Sequence, residues 1–460
     1  MRRVTGDDGV ALGRYGHGEP EVTGVADLGA FDDLDGLGPF GDVDGPHVPG
    51  IDGRLFDPVD PDVRVASVFD EPDLRRFADL SLEEIAAAAG LRSIDVVAWR
   101  DFDDPEAGGS ELHAHRILSA WADAGLDITM TTSSVPDART VVRRDGYRVA
   151  RRAGRYSVFP RTVLAGALGR VGNADGLVEI WNGMPFFSPL WARSPRVVFL
   201  HHVHAEMWKM VLPSGLAEVG YAIEHRLAPP VYRRSRIVTL STSAKQEIVE
   251  RLGIPADRVT VSPPGVEDHF TPGGERSETP LVVAVGRLVP VKRFDLMIEA
   301  LVRLKPAHPE LRAVIVGEGY ERTALEAQVA ARGAGSWISL PGYVDDERLV
   351  SLYREAWLVA SSSLREGWGM TVTEAGACGT PAVASRISGH RDAVLDGRSG
   401  LLFSDQDEMV ATLDAALADE VLRKRLGIGA VEHAARFSWD ATARGALAVL
   451  AAESLNRRPG

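Results

Sequence analysis

The sequence has one cysteine, Cys378, in 460 residues. A disulfide framework and a thiolate zinc site are therefore excluded, and a reducing cytoplasm is the expected compartment. No run of about 18 uninterrupted apolar residues occurs, so no membrane-spanning helix is expected. The opening MRRVTGDDGV carries two arginines with no apolar core behind them, and no secretory signal is expected there. Neither of the two loops that could open a nucleotide-binding unit reads Gly-x-Gly-x-x-Gly, which argues against a dinucleotide oxidoreductase.

Positive charge is scarce at one end. The net charge is −14, and residues 1–80 hold 18 Asp and Glu against 7 Arg, a balance of −11 that leaves −3 for residues 81–460. The same stretch has 13 glycines and sparse, aperiodic hydrophobes, so residues 1–80 read as an acidic, flexible or loosely docked extension. The nearly neutral remainder argues against nucleic acid as the main partner.

What is present is an alternation of strands and helices, the pattern of parallel sheets wrapped by helices. From about residue 91 the short β-rich runs SIDVVAWR, LDITMTTS, GLVEIWN, PRVVFLHH and SRIVTLS are separated by helical stretches. In SELHAHRILSAWADAG, Ala114, Ile117, Leu118 and Trp121 share one helical face. VSPPGVEDHFTPGGERSETP, at 261–280, reads as a linker, and the alternation then restarts with LVVAVGRL. The spacing predicts a first doubly wound domain over 91–270, a second over 271–435, and a C-terminal helix within 436–460 that packs back on the first. The expected fold class is α/β, with two tandem Rossmann-like domains facing a cleft where ligands collect at the strand ends.

Two stretches of the second domain carry chemistry. In VGRLVPVKRF, Gly286 ends a strand and Arg287 and Lys292 follow, which suits an anionic ligand, although two solvated surface cations would look the same. In SLREGWGMTVTEAGACGTP, a helix is expected to start near Met370 or Thr371 with Glu374 in its first turn. Gly367 to Met370 would then offer free backbone amides at a helix N-terminus, a phosphate site. Glu374 beside it could accept hydrogen bonds from a ribose diol, and Glu366 could hold a second hydroxylated group. A first-turn glutamate favoured by the helix dipole would account for Glu374 alone, but for neither Glu366 nor the glycines.

GRLVPVK, VGEG, LPGYVDDERLVSLYREA and REGWGMTVTEAGACGTPAVAS together resemble the C-terminal domain of retaining glycosyltransferases of the GT-B fold, the large group 1 family (family 4). Its Glu-x7-Glu signature is matched by Glu366 and Glu374, and the resemblance is densest between 281 and 403. The resemblance implies that Arg287 and Lys292 bind the donor diphosphate and stabilise it as leaving group. It places Glu366 on the sugar hydroxyls and Glu374 on the ribose, with backbone contacts from Gly367, Trp368, Gly369, Met370 and Thr371. It puts Gly286 beside the diphosphate, Gly108 and Gly109 of GGSELHAHRIL at the phosphate, and Gly317, Glu318, Tyr343 and Val344 around the base. Trp368 stands where the family more often has Phe, and SPPG at 262–265 replaces a commoner Pro-Asn-Gly.

In VVFLHHVHAEMW the resemblance implies a strand-end histidine facing the reacting carbon and acceptor, and counting along the strand from Pro195 favours His201, with His202 next and His204 behind on the acceptor side. A metal centre would need further ligands at compatible strand ends, and none stands out, so no metal and no cofactor is expected. Packed strand-end histidines are the plain alternative. DFDD at 101–104 reads as a polar loop, and the eight arginines of 139–161 as a solvated hairpin, with contact to acidic lipid headgroups or a phosphorylated acceptor as the sharper reading. The implied reaction moves a sugar from a nucleoside diphosphate to an acceptor hydroxyl, on a sugar or lipid-linked sugar, with retention and without metal. The alternatives are a nucleotide-sugar-binding protein without transfer activity and a phosphorylase or epimerase of the same fold. A site at the inner face of the membrane is compatible with this reading.

Overall fold

The computed structural model describes residues 67–211 and 213–457. Most of the acidic stretch, residues 1–66, lies outside the described residues. The rest of it, 67–80, is not loose. Ser67 caps a short turn, and Val68, Leu74 and Phe77 are buried in the same core as Ile94, Trp121 and the C-terminal helix. Glu71 and Asp73 both pair with Arg236. Three apolar side chains at irregular spacing suffice here because they fill a groove rather than build a core of their own.

The first domain is an eight-stranded sheet. Its strands are β1 Ser93–Val97, β2 Asp127–Ser133, β3 Val141–Arg144, β4 Tyr147–Ala153, β5 Gly176–Ile180, β6 Arg196–Phe199, β7 Arg236–Thr239 and β8 Val259–Val261. The order is β3-β4-β2-β1-β5-β6-β7-β8, parallel except for the β3–β4 hairpin at the edge. The second sheet has β9 Leu281–Val285, β10 Arg312–Val316, β11 Ile338–Gly342, β12 Leu358–Ser361, β13 Ala382–Ser385 and β14 Gly400–Phe403, all parallel, in the order β11-β10-β9-β12-β13-β14.

Helices cover both faces, so central strands are buried on both sides and read as continuous apolar runs. β9, LVVAV, is buried through its first four residues. Strand order reverses between β9 and β12 in the second sheet and between β1 and β5 in the first. Such switch points open a crevice at the carboxyl ends of the strands. The loops that leave β9 and β12 carry Arg287, Lys292 and Glu366, and the loop that leaves β1 carries Gly108.

The C-terminal helix Trp439–Arg457 returns to the first domain. Ala443, Ala446, Leu447 and Leu450 are fully buried against Ile94, Ile117 and Phe199, and Trp121 donates its indole N–H to the Ala443 carbonyl at 2.9 Å. At the other edge the arginine-rich hairpin is largely exposed, as expected, with Arg139, Arg143, Arg148, Arg152 and Arg161 open to solvent, but its base is anchored. Arg151 is buried and donates to Asp101 at 2.8 Å and to Asp103, and Arg144 also pairs with Asp103. The polar DFDD loop is therefore the anchor of that hairpin.

Candidate active site

Gly286 closes β9 and Arg287 follows. The chain then makes a short turn, Pro290–Lys292, that brings Lys292 back over the strand ends. Gly317, at the end of β10, has φ +139°, and a side chain there would run into the Gly286 carbonyl. The two strand ends can lie this close only because Gly317 has no side chain, while the bare Gly286 leaves room for the Lys292 side chain. The Lys292 ammonium meets Glu366 Oε1 at 2.5 Å, and Ser363 Oγ donates to the same oxygen at 2.8 Å. Burial alone would raise the Glu366 pKa, but Lys292 first and His390 next overturn that and hold it at about 2. Glu366 is thus a fixed carboxylate that accepts hydrogen bonds.

After Glu366 the chain turns through Gly367 and Gly369 into the helix Met370–Ala377. Gly369 has φ +127°, which favours glycine. The Trp368 side chain points inward, 3% exposed against Phe437, so only its backbone is available at the turn. The first amides of the helix have no carbonyl behind them and face the turn. Glu374 is the fifth residue of this helix rather than in its first turn, one turn in from the amides. Burial raises its pKa to about 7, against the pull of the Tyr353 hydroxyl, which donates to Oε2 at 3.1 Å.

On the β10 and β11 side the four residues assigned to the base lie along one rim. Glu318 pairs with Arg322 at 2.5 Å, next to Gly342. Tyr343 is 78% exposed, and Val344 packs on the cluster around Phe270 and Tyr353.

The first lobe closes over this surface. Arg287 Nη1 donates to the Glu106 carbonyl at 2.9 Å, and a Cβ on Gly108 would sit 3.1 Å from Arg287 Nε. A Cβ on Gly109 would sit 3.2 Å from the Met370 sulfur, and one on Gly367 would lie 2.6 Å from the His201 carbonyl oxygen. Gly367 therefore lets backbone meet backbone across the cleft, and Gly108 and Gly109 make room for the Arg287 and Met370 side chains. Arg365 spans the cleft to Glu206 and Glu247, and Asp392 accepts from Thr242 N at 2.9 Å and Ser243 N at 3.1 Å. Asp392 thus caps the helix Thr242–Leu252 from the opposite lobe.

The three strand-end histidines differ in what they face. His201 is buried, its Nε2 3.2 Å from His113 Nδ1 on the helix Gly109–Asp123. Its ring is turned to its own lobe while its backbone touches Gly367. His202 stacks on His204 at 4.9 Å, and it is the ring that feels Glu366, Arg365 and Arg287; burial pushes its pKa down to about 4. The order expected from the sequence, His201 before His202, is therefore not the order in which the rings meet the second lobe's charges. His204 is buried, and its amide is fixed by Glu224 at 2.8 Å. Among the described residues no group of three His, Cys, Asp or Glu is arranged to hold a metal ion.

The sequence reading missed His113, His390, Ser363, Arg365 and Asp392. All lie outside any fixed spacing, and only the short GHRD after β13 marks His390 and Asp392 as polar residues at a strand end.

Residues 266–433 match the family described as glycosyl transferases group 1, and residues 107–270 match glycosyltransferase family 4. A D-inositol 3-phosphate glycosyltransferase of Acidothermus cellulolyticus is 36% identical over 48% of this chain and 54% of its own. One from Nocardia farcinica is 33% identical over 55% of this chain and 60% of its own. The chain thus spans little more than half the length of these relatives. Among solved structures, sucrose-phosphate synthase from Thermosynechococcus elongatus superposes with a TM-score of 0.64 at 20% identity, covering 76% of this chain and 96% of that one. Two contiguous family matches on two facing doubly wound lobes leave one assignment: the chain belongs to the group 1 glycosyltransferases, with the GT-B fold.

Proposed function

We infer that the protein transfers a sugar from a nucleoside diphosphate to an acceptor hydroxyl, with retention at the anomeric carbon and without a metal ion. The single observation that carries this is the meeting, in one cleft, of Arg287, Lys292 and the amides at Gly367–Met370 with the fixed carboxylate of Glu366. Breaking the anomeric C–O bond sends negative charge onto the diphosphate, so donors aimed at that charge lower the barrier most. Arg287 and Lys292 neutralise it in the role a metal has elsewhere. Glu366, ionised and held, accepts from sugar hydroxyls, and Glu374 accepts from the ribose. His202 faces the same charges and is the histidine proposed to line the sugar, with His201 fixing the floor behind Gly367. Gly317, Glu318, Tyr343 and Val344 form the rim proposed to receive the base.

The acceptor proposed is a hydroxyl on a sugar or a sugar-like polyol, free or lipid-linked. The curated relatives named above are D-inositol 3-phosphate glycosyltransferases, which fits a polyol. A lipid-linked acceptor would bring the protein to a membrane face. Leu216, Val219 and Leu227, all exposed on the helical stretch 214–227, are where contact would be expected rather than on the anchored hairpin.

The test is turnover of UDP-, GDP- and ADP-sugars by the purified chain, in buffer containing EDTA, with the anomeric configuration of the product read by proton NMR. Release of nucleoside diphosphate with an α product supports the reading. No turnover or hydrolysis of any donor, or an inverted product, would overturn it.

A further inference from the structure

Beyond its electrostatic pull on Glu366, His390 has no part in the site as described, yet it is 1% exposed and lies directly beneath it. It opens the short helix His390–Ala393 after β13. Its Nδ1 is 3.0 Å from the Ser385 carbonyl oxygen, and only a protonated Nδ1 can make that bond. The opposite nitrogen, Nε2, is 3.4 Å from Ser361 Oγ at the end of β12. Ser361 Oγ is 3.4 Å from Ser363 Oγ, and Ser363 donates to Glu366 Oε1 at 2.8 Å. Ser385 Oγ donates to the Ser363 carbonyl at 2.6 Å, so the same strand end fixes the backbone of that serine.

The ring is also the floor of the glycine turn: a Cβ on Gly369 would lie 2.8 Å from His390 Cδ2. One buried imidazole therefore touches both parts of the donor surface, the turn that offers amides and, by its Nδ1–H bond to Ser385, the strand end that fixes Ser363 against Glu366. A carboxylate with two oxygens and one ammonium partner could rotate about its last torsion. The hydroxyl of Ser363, itself fixed from below, adds a second donor to the oxygen that Lys292 holds and restricts that freedom.

We propose that His390 is a positioning residue that sets the orientation of the Glu366 carboxylate, through Ser385 and Ser363, for the hydroxyls of the donor sugar. The proposal rests on the reading of Glu366 as the sugar holder. Its consequence is selective. Losing His390 weakens the hold on the sugar and leaves the hold on the nucleoside diphosphate, which depends on Arg287, Lys292 and Glu374.

The experiment measures, by calorimetry, the affinity of the full chain for UDP, GDP and ADP and for UDP-glucose, GDP-mannose and ADP-glucose. The ratio of sugar-bearing to bare nucleotide is the readout. His390→Phe keeps the floor under Gly369 and removes both ring nitrogens, so the ratio is expected to fall about three- to tenfold, the worth of one or two hydrogen bonds, with bare-nucleotide affinity unchanged. His390→Gln, which can donate, should recover part of the ratio, and Ser385→Ala, which removes the bond to the Ser363 carbonyl, should reproduce the loss. Thermal denaturation of each variant with and without the bare nucleotide shows whether it is folded. A wild-type ratio in both His390→Phe and Ser385→Ala would overturn the proposal while leaving the donor site standing. An equal fall for bare and sugar-bearing nucleotides would also overturn it, as a structural effect. Failure of the wild-type chain to bind any of the six would overturn the donor reading, and the proposal with it.

Discussion

Lys292 and Glu366 hold each other in place, and each is left with a second task. The ammonium has two further donors for a diphosphate, and the carboxylate has a second oxygen for a sugar. A charge-assisted pair of this kind is shorter and stronger than a neutral one, and it fixes both groups before substrate arrives. Lys292→Ala or Arg287→Ala is expected to lower kcat by about 10²–10³, the loss usual for one donor aimed at developing charge. Steady-state turnover of the best donor checks this, and a loss of less than threefold in either variant would contradict it.

Glu374 has the opposite electrostatics. Burial raises its pKa to about 7, from an ordinary 4.5. The protonated form is the one the folded chain favours, so the group's contribution to stability is full below its ordinary value and fades as pH rises to about 7. Ribose hydroxyls favour the ionised form, so nucleotide binding should expel a proton there and tighten as pH rises through about 7. Calorimetry in two buffers of different ionisation enthalpy reads that proton, against Glu374→Gln to subtract the nucleotide's own titration. Equal proton release in the two proteins would contradict the assignment.

At the scale of elements, the glycine turn between β12 and the helix Met370–Ala377 separates two kinds of constraint. Gly369 has φ +127° and no room on the His390 side, so Gly369→Ala strains the fold itself and should lower Tm. Gly367 is crowded only by the His201 backbone across the cleft. Gly367→Ala should therefore leave Tm within about 2 °C, a surface-sized change of under about 0.5 kcal/mol, while turnover falls because the lobes cannot close. Differential scanning calorimetry beside a turnover assay checks both, and a large Tm loss in Gly367→Ala would contradict the distinction.

The same scale shows what could be read from the sequence. β9, β10 and β12 are short apolar runs ending in glycine or serine, and the pattern that marks a buried parallel strand also marks where its loop begins. Arg287, Lys292, Glu366 and Glu374 could be read for that reason. The turn over 67–80 could not, because Val68, Leu74 and Phe77 follow no helical or strand period and sit among acids. Nor could Arg151, whose partners Asp101 and Asp103 lie about fifty residues away. His390 was hidden by distance along the chain. It meets Glu366 only because β13 lies beside β12, and sheet order leaves no mark on a local window.

Across the described residues, the ties of Asp392 and Arg365 join that of Arg287 to Glu106 in holding the lobes together. Asp392 caps the helix Thr242–Leu252 from the opposite lobe, and Arg365 reaches Glu206 and Glu247. Interfaces between domains of one chain are commonly mobile unless large and apolar, so ties of this sort set how far the cleft opens. Asp392→Ala with Arg365→Ala should raise the radius of gyration seen by small-angle X-ray scattering and raise KM for the donor, with the fold of each lobe intact. An unchanged radius in the double variant would mean that Arg287, the C-terminal helix and the linker fix the closure.

On the proposed reading, the lobes, the glycines and the acidic pair are arranged around one physical event, the arrival of a pyrophosphate between Arg287, Lys292 and the amides at Gly367–Met370. Calorimetric titration of UDP, GDP and ADP into the wild-type chain and into the Arg287→Ala/Lys292→Ala double variant tests it most directly. The predicted result is saturable binding of at least one diphosphate by the wild type, weakened more than about a hundredfold in the double variant, as expected for two lost charge-assisted contacts. Binding of that nucleotide by the double variant with wild-type affinity would contradict it.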